Sequence, residues 1–242
     1  MPSDPPSALC SFPAHGLAVV IGAGGGVGAA VAEALSRDGR FAQVVGLTRK
    51  GDTTLDLTDE HSISEAARRL ADQPGDLRLV FDATGVLQDD ETSPEKSWRQ
   101  LDPARLAHAF AVNAIGPALL MKHLLPLFPR EGKSVFATLS ARVGSIGDNR
   151  LGGWYGYRAS KAALNQFVAT AAVELARQRP HAVCVALHPG TVDTGLSAPH
   201  AKQGLEVQTP AEAATRLLAV LDAVTPALSG GFLDHHGRQI PW

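Results

Sequence analysis

The sequence predicts a doubly wound α/β fold, a single domain with a central, mostly parallel seven-stranded sheet and helices on both faces. Three observations carry this expectation. Strand-length apolar runs alternate with helical patterns of ten or more residues, which implies a parallel sheet covered on both sides. Five glycines in seven residues, Gly22 to Gly28, fill the turn between the first strand and the first helix. No linker-like stretch, internal repeat or low-complexity run divides residues 17–242, whereas residues 1–16 read as a polar, proline-containing and flexible N-terminal arm.

The elements follow in order. LAVVIG (17–22) is the first strand, and AAVAEALSRDG is a helix closed by Gly39, where a C-cap favours glycine. QVVGLTR (43–49) is the second strand, and Thr54 to Leu57 a weak third. From Asp59 to Leu70, Ile63, Ala66, Ala67 and Leu70 fall on one helical face. LRLVFDATG (77–85) is a fourth strand. Pro103 to about Phe128 is a long helical stretch, SVFATLS (134–140) a fifth strand, Tyr157 to Arg177 a second long helix, and AVCVALHPG (182–190) a sixth strand. Thr209-Pro210 opens the last helix with a capping threonine and a proline at its first position. FLDHHGRQI (232–240) is a terminal strand and turn. The crossovers are expected to be right-handed.

Composition narrows the function. The 242 residues are 45% hydrophobic and 19% charged, which suits a globular core and excludes disordered and collagenous chains. With 22 basic and 24 acidic side chains and a net charge of −2, no global field serves nucleic acid or an anionic membrane. Any bound anion must be held locally. Cys10 and Cys184 are the only cysteines, too few for a disulfide framework and in no metal-ligand spacing, which fits a reducing cytoplasm. Pro5 to Ala32 carries no charge, yet its prolines and glycines make it neither a spanning helix nor a signal peptide.

The glycine-dense turn sits where open α/β sheets place their ligands. Gly22 permits the tight turn, Gly24, Gly25 and Gly26 leave room for a pyrophosphate, and Val27-Gly28 begins a helix packed close to the strand. That helix presents free N–H groups to the anion. An acidic residue at the end of the second strand would favour NAD. Thr48, Arg49 and Lys50 stand there instead, and cations pair with a 2′-phosphate, so NADP is preferred and NAD is the alternative.

The chain has two tyrosines, Tyr155 and Tyr157. Tyr157 and Lys161 are i and i+4 and so share a helix face. An ammonium near a phenol lowers its pKa and suits it to acid or base work nearer neutral pH. The glycine turn, DATG (82–85), VNAIGP (112–117), LSARVGS (139–145), YRASK (157–161) and PGTVDT (189–194) occur in one order. Together they resemble the short-chain dehydrogenase/reductase family, a Rossmann-type fold, over nearly the whole chain. GSIGDNRLGGWYGYRASKAALN and the ending GGFLDHHGRQIPW are most similar to its small C-factor-like reductases.

The resemblance implies residue roles. Tyr157 would donate a proton to a carbonyl, Lys161 would lower its pKa and hold the nicotinamide ribose, Ser140 would bond the carbonyl oxygen, and Asn113 would keep a relay water. Ala83, Thr84 and Gly85 would lie beside the adenine ribose. Asp56, followed by Leu57, would accept from the adenine amino group, and Pro189, Gly190, Val192 and Thr194 would face the carboxamide. Relatives also form dimers through the helices at 103–128 and 157–177, so a homodimer or homotetramer is expected.

Two features depart from the family pattern. Many relatives carry a serine pair after the fifth strand, and Ala141 fills the second place, which leaves Ser145 as the alternative to Ser140. A long insert, SIGDNRLGGWYG, precedes Tyr157. Residues 197–208 read as a mobile lid. His235-His236 point to opposite strand faces and are not expected to hold a metal. His188 is expected to be structural or cofactor-facing, and Trp154 and Trp242 core or cleft rim. The implied function is hydride transfer between NAD(P) and a small carbonyl or secondary alcohol. A cofactor-binding signalling protein with little turnover is one alternative. Another is an acyl-carrier-protein-linked 3-oxoacyl reductase, docking through Arg142, Arg150 and Arg158.

Overall fold

In the computed structural model, which describes residues 8–50, 54–88, 93–195 and 206–242, the first apolar run forms β1 (Leu17–Ile21) with every residue buried. It leads into α1 (Gly26–Asp38), which ends on Gly39 in the left-handed conformation, φ 72°. Then come β2 (Gln43–Leu47), α2 (Glu60–Ala71) and β3 (Leu77–Asp82). The long helical stretch is α3 (Pro103–Phe110), a π turn (Ala111–Ile115) and α4 (Gly116–Leu124). The second half runs through β4 (Ser134–Leu139), α5 (Tyr155–Gln178) and β5 (Ala182–His188). The short strands β6 (Thr191–Val192) and β7 (Val207–Gln208) pair with each other, and α6 (Pro210–Ala223) and β8 (Phe232–Asp234) finish the fold.

The main sheet has the order β2-β1-β3-β4-β5-β8, with all five pairings parallel. Among the described residues this sheet has six strands, where seven were expected. Thr54 to Leu57 contributes only an isolated bridge, Thr48 with Thr54. Leu55 and Leu57 are buried, but Asp56 turns the chain by accepting from Thr58, so it enters α2 before a ladder can extend.

Successive β1 residues point to opposite faces and build two cores. Leu17, Val19 and Ile21 join Ile63 of α2, Leu120 of α4 and Leu164 of α5. Ala18 and Val20 join Val31 of α1 and Leu217 of α6 on the other face. The threonine expected to cap α6 does so as part of a capping box with Glu212. The stretch Pro103–Leu127 is long and apolar enough to compare with a membrane span, with mean hydropathy 1.3, but Leu120, Met121 and Leu124 pack onto the sheet.

The N-terminal arm corrects the expectation. From Ala8 onward it is docked: Leu9 and Phe12 are each 1% exposed, and the Phe12 ring meets Phe41 edge-on at 5.5 Å. Lys133 Nζ lies 4.8 Å above the Phe12 ring, and Arg40 Nε donates to Phe12 O at 2.7 Å. Two buried apolar side chains outweigh the polar composition around them. Residues 1–7 lie outside the described residues, as do residues 197–205 of the segment 197–208 read as a lid.

Candidate active site

β1 connects to β2 on one side and pairs with β3 on the other, so the chain changes direction at the C-terminal end of β1. A crevice opens at such a switch point. Gly22 turns there with φ +80°, and Gly25 N donates to Gly22 O at 2.9 Å. A Cβ on Gly28 would stand 2.2 Å from Gly22 O and 3.2 Å from Ala83 Cβ, so only glycine lets α1 begin this close. A Cβ on Gly26 would meet Thr194 Cγ2 at 2.7 Å, which places the stretch after β5 against the glycine turn. At Gly24 the nearest atom would be Thr48 Cγ2 at 3.6 Å. Val27 turns into the core. The N-cap residue of α1, Gly25, makes no side-chain capping bond, and the first turn holds no acidic residue, a setting suited to an anion.

Arg49 and Lys50 are exposed just beyond β2. Asp56 Oδ1 accepts from Thr58 N at 2.8 Å and Thr58 Oγ1 at 2.7 Å, and these bonds, helped by the charge of Arg49, hold its carboxyl below the usual range. Leu57 is buried, close enough to Gly116 that a Cβ there would lie 2.8 Å from Leu57 Cβ.

The end of β3 carries a buried acid. Asp82 Oδ1 accepts from Thr84 N at 3.0 Å and Thr84 Oγ1 at 2.6 Å, while Oδ2 accepts from Thr138 Oγ1 at 2.6 Å. Burial pushes its carboxyl up, and these bonds and the charge of Lys161 act in the opposite sense. Ala83 N donates to Ile21 O at 2.8 Å, tying this segment to β1. A Cβ on Gly85 would lie 3.4 Å from Asn113 Oδ1 and 3.5 Å from Lys161 Nζ, so these three expected site residues meet.

Asn113 lies in the π turn, fully buried. Such bulges recur at functional sites because they aim a side chain that a regular helix would not. Its Oδ1 accepts from Val86 N at 2.8 Å, and its Nδ2 donates to Val86 O at 2.8 Å and to Ser160 Oγ at 3.1 Å. Ser160 Oγ in turn donates to Tyr157 O at 3.0 Å. Asn113 thus links the loop after Gly85 to the first turn of α5. The signal for Ser160 lay in YRASK, but sequence reasoning did not use it.

Lys161 Nζ donates to Leu139 O at 2.7 Å and lies 6.0 Å from the Tyr157 ring centroid. Burial lowers the Lys161 ammonium to about 8, with Asp82 opposing, and raises the Tyr157 phenol to about 12. For Tyr157, which is half-buried, this direction is opposite to the expected depression. The ammonium is turned to a main-chain carbonyl, and loss of water around the phenol dominates.

Ser140 is 3% exposed, and its hydroxyl donates to Asn165 Oδ1 at 2.7 Å. Asn165 is two turns beyond Tyr157, about 12 Å along the helix axis. Ser145 is also buried and accepts from Asp148 N at 3.1 Å. Beyond β5, Gly190 turns with φ +81°, and Gln208 Nε2 donates to Pro189 O at 2.5 Å. Val192 pairs with Gln208 in the small sheet. Burial lowers His188 to about 4, and its ring lies 6.4 Å from that of His235. The buried Glu95 was not foreseen, since it belongs to no local motif, and Gln208, read as the end of a lid, is instead buried in the small sheet.

The family model of the short chain dehydrogenases matches residues 16–204 of this chain. C-signal of Myxococcus xanthus is 38% identical over 144 residues, covering 59% of this chain and 81% of that protein. A 1-hydroxy-2-glutathionyl-2-methyl-3-butene dehydrogenase of Rhodococcus sp. (strain AD45) is 32% identical over 205 residues, 85% of each chain. Among solved structures, NADPH-bound carbonyl reductase from chicken fatty liver has a TM-score of 0.81 at 24% identity, over 96% of this chain and 100% of that one. A short-chain dehydrogenase/reductase from Burkholderia multivorans with bound NADP has a TM-score of 0.78 at 28% identity, over 94% and 100%. The match across residues 16–204, on a parallel sheet whose switch point carries the glycine turn, shows that the chain belongs to the short-chain dehydrogenase/reductase family.

Proposed function

We propose that the protein is an NADP-dependent oxidoreductase acting on a small carbonyl compound or secondary alcohol. The observation that carries this reading is the meeting of Gly85, Asn113 and Lys161 below the first turn of α5, which carries Tyr157. The glycine turn suits a dinucleotide, because it ends at the N-terminus of α1, whose N-cap Gly25 makes no side-chain capping bond and whose first turn holds no acidic residue. Gly22 to Gly28, Asp56, Leu57, Ala83, Thr84, Gly85, Pro189, Gly190, Val192 and Thr194 would hold the cofactor, with Arg49 on its 2′-phosphate. NAD is the alternative. When bound, the cofactor supplies or accepts the hydride.

The protein side of the chemistry is proton transfer. With its phenol pushed up to about 12, Tyr157 is protonated at neutral pH and serves as the acid that protonates a reducing carbonyl. Lys161, at about 8, is cationic at neutral pH and presents that charge beside Gly85, where it orients a ribose and restores the phenol proton. Asn113 holds the loop after Gly85 to α5. Ser140 is given a structural role, because its hydroxyl is committed to Asn165.

That same commitment, with Ala141 beside it, favours the second reading of a cofactor-binding signalling protein with little turnover. Docking of an acyl carrier protein gains no support from the three arginines. Arg142 pairs with Asp148, Arg150 donates to Gly147 O, and Arg158 donates to Gly153 O and Val143 O. A second copy of the chain is the partner expected at the groove of about 330 Å³ between α4 and α5, where Phe167 is 40% exposed. A cytoplasmic location is part of the proposal.

The test is a carbonyl panel with NADPH and NADH, run beside Tyr157→Phe. The oxidoreductase reading expects NADPH-linked turnover that falls by about 10² to 10⁴ in the variant. Turnover that survives the substitution removes Tyr157 from its role. Cofactor binding without turnover on any carbonyl supports the signalling reading.

A further inference from the structure

Helix α5 carries both Tyr157 and Lys161, yet its own sequence gives its N-terminus no cap. The N-cap residue is Trp154, which sits in the left-handed region at φ 53°, ψ 43°, and its side chain makes no capping bond. A non-glycine residue there is strained by about 1–3 kcal/mol and persists only where its surroundings hold it.

What holds it comes from far away in the chain. Glu95 O accepts from Trp154 N at 2.5 Å, and Glu95 Oε2 accepts from Gly156 N at 3.3 Å, across sixty-one residues of sequence. Glu95 is only 6% exposed, although no helix or strand contains it. A Cβ on Gly156 would lie 3.0 Å from Glu95 Oε1 and 3.2 Å from Leu106 Cδ2, so the glycine lets the acid sit between α3 and α5. The loop is itself anchored: Lys96 N donates to Gln100 Oε1 at 2.7 Å, and Arg105 donates to Ser93 O at 2.5 Å. Trp154 meets the Tyr157 ring edge-on at 6.3 Å. An acidic group at this end of the helix also complements its dipole.

We propose that Glu95 is a positioning residue for Tyr157, capping α5 from outside and fixing the direction in which the phenol points. The proposal rests on the reading of Tyr157 as the proton donor. Gln at this position keeps the acceptor for Gly156 N, whereas Ala removes it.

The test compares Glu95→Gln, Glu95→Ala and Gly156→Ala by steady-state kinetics and by the NMR of ¹³Cζ-labelled tyrosine. The chain has only two tyrosines, so Tyr155→Phe assigns the two signals. In Glu95→Ala the Tyr157 signal is expected to shift or broaden and kcat to fall about 10- to 100-fold, with the KM for NADPH within about twofold, the pattern of a misplaced catalytic group. Glu95→Gln is expected to restore both readouts to within about threefold of wild type. Gly156→Ala improves helix propensity, so a purely structural role for the contact predicts unchanged kcat, while displacement of Glu95 predicts a fall. A Tyr157 signal and kcat unchanged in Glu95→Ala and Gly156→Ala overturn the proposal. If Glu95→Ala does not fold, Gly156→Ala decides by the same two readouts. Wild-type protein that turns over no carbonyl overturns the oxidoreductase reading instead, and the tyrosine signal then decides the positioning alone.

Discussion

The Ser140 hydroxyl donates to Asn165 Oδ1 at 2.7 Å inside the fold, while Ala141 occupies the next position. On the proposed reading this bond makes Ser140 a structural serine. Ser140→Ala leaves Asn165 Oδ1 buried without its donor and is expected to cost about 1–3 kcal/mol of stability, with kcat changed less than about threefold. Ala141→Ser adds a hydroxyl at the half-buried end of β4 and is expected to raise kcat about tenfold. Urea denaturation and initial rates on the same preparations check both. A collapse of kcat in Ser140→Ala with stability intact would return Ser140 to the catalytic set.

Lys161 gives the protein a pH-dependent stability. Burial lowers its ammonium to about 8 from 10.5, so between those values the unfolded chain binds a proton that the folded chain has released. Stability from this group therefore rises with pH from 8 to 10.5, and below 8 the cost of burying the charge is fully present. The swing is at most about 3 kcal/mol. Denaturation midpoints of wild type and Lys161→Met at pH 7.5 and 10 measure it, and wild type should gain relative to the variant at the higher pH.

The glycine turn makes unequal demands. A Cβ at position 28 would lie 2.2 Å from a main-chain oxygen, so Gly28→Ala is expected to lose about 1–3 kcal/mol and most of its NADPH affinity. Gly24→Ala meets nothing closer than 3.6 Å and should fold within about 0.5 kcal/mol of wild type. Weakened NADPH binding in Gly24→Ala, seen by fluorescence titration, would then report on the phosphate path alone.

Cofactor choice is expected to follow Arg49. It is exposed, so Arg49→Glu should leave the melting temperature unchanged. The ratio of kcat/KM for NADPH to that for NADH should fall by about 10- to 100-fold as a charge-assisted pair is replaced by repulsion. An unchanged ratio would show that the 2′-phosphate lies elsewhere.

Much of the molecule was legible in its sequence because the signals are local. β1 and β5 are buried over nearly their whole length and read as unbroken apolar runs, and Gly39 and Thr209 mark helix ends through conformations that their own chemistry favours. Gly22 and Gly28 were readable because no other residue tolerates that turn and that approach. The Tyr157–Lys161 spacing was readable from helical periodicity alone.

Other features depended on what the chain meets after folding. Leu9 and Phe12 are too few to announce a docked segment; Leu9 joins the core beneath α1 and α6, and Phe12 packs with Phe41 and Lys133. The seventh strand failed because Asp56 found Thr58, a competition that apolar patterning does not weigh. By itself the sequence determined most of the order of strands and helices, the glycine turn and the shared helix face of Tyr157 and Lys161, since each is fixed by backbone chemistry within a few residues. Tertiary structure alone decided that Lys161 faces Leu139, that Ser140 is committed to Asn165 and that Glu95 caps the helix of Tyr157. Those outcomes turn on burial and on partners distant in sequence, whose effect on a charge or a hydroxyl exists only once water has been excluded.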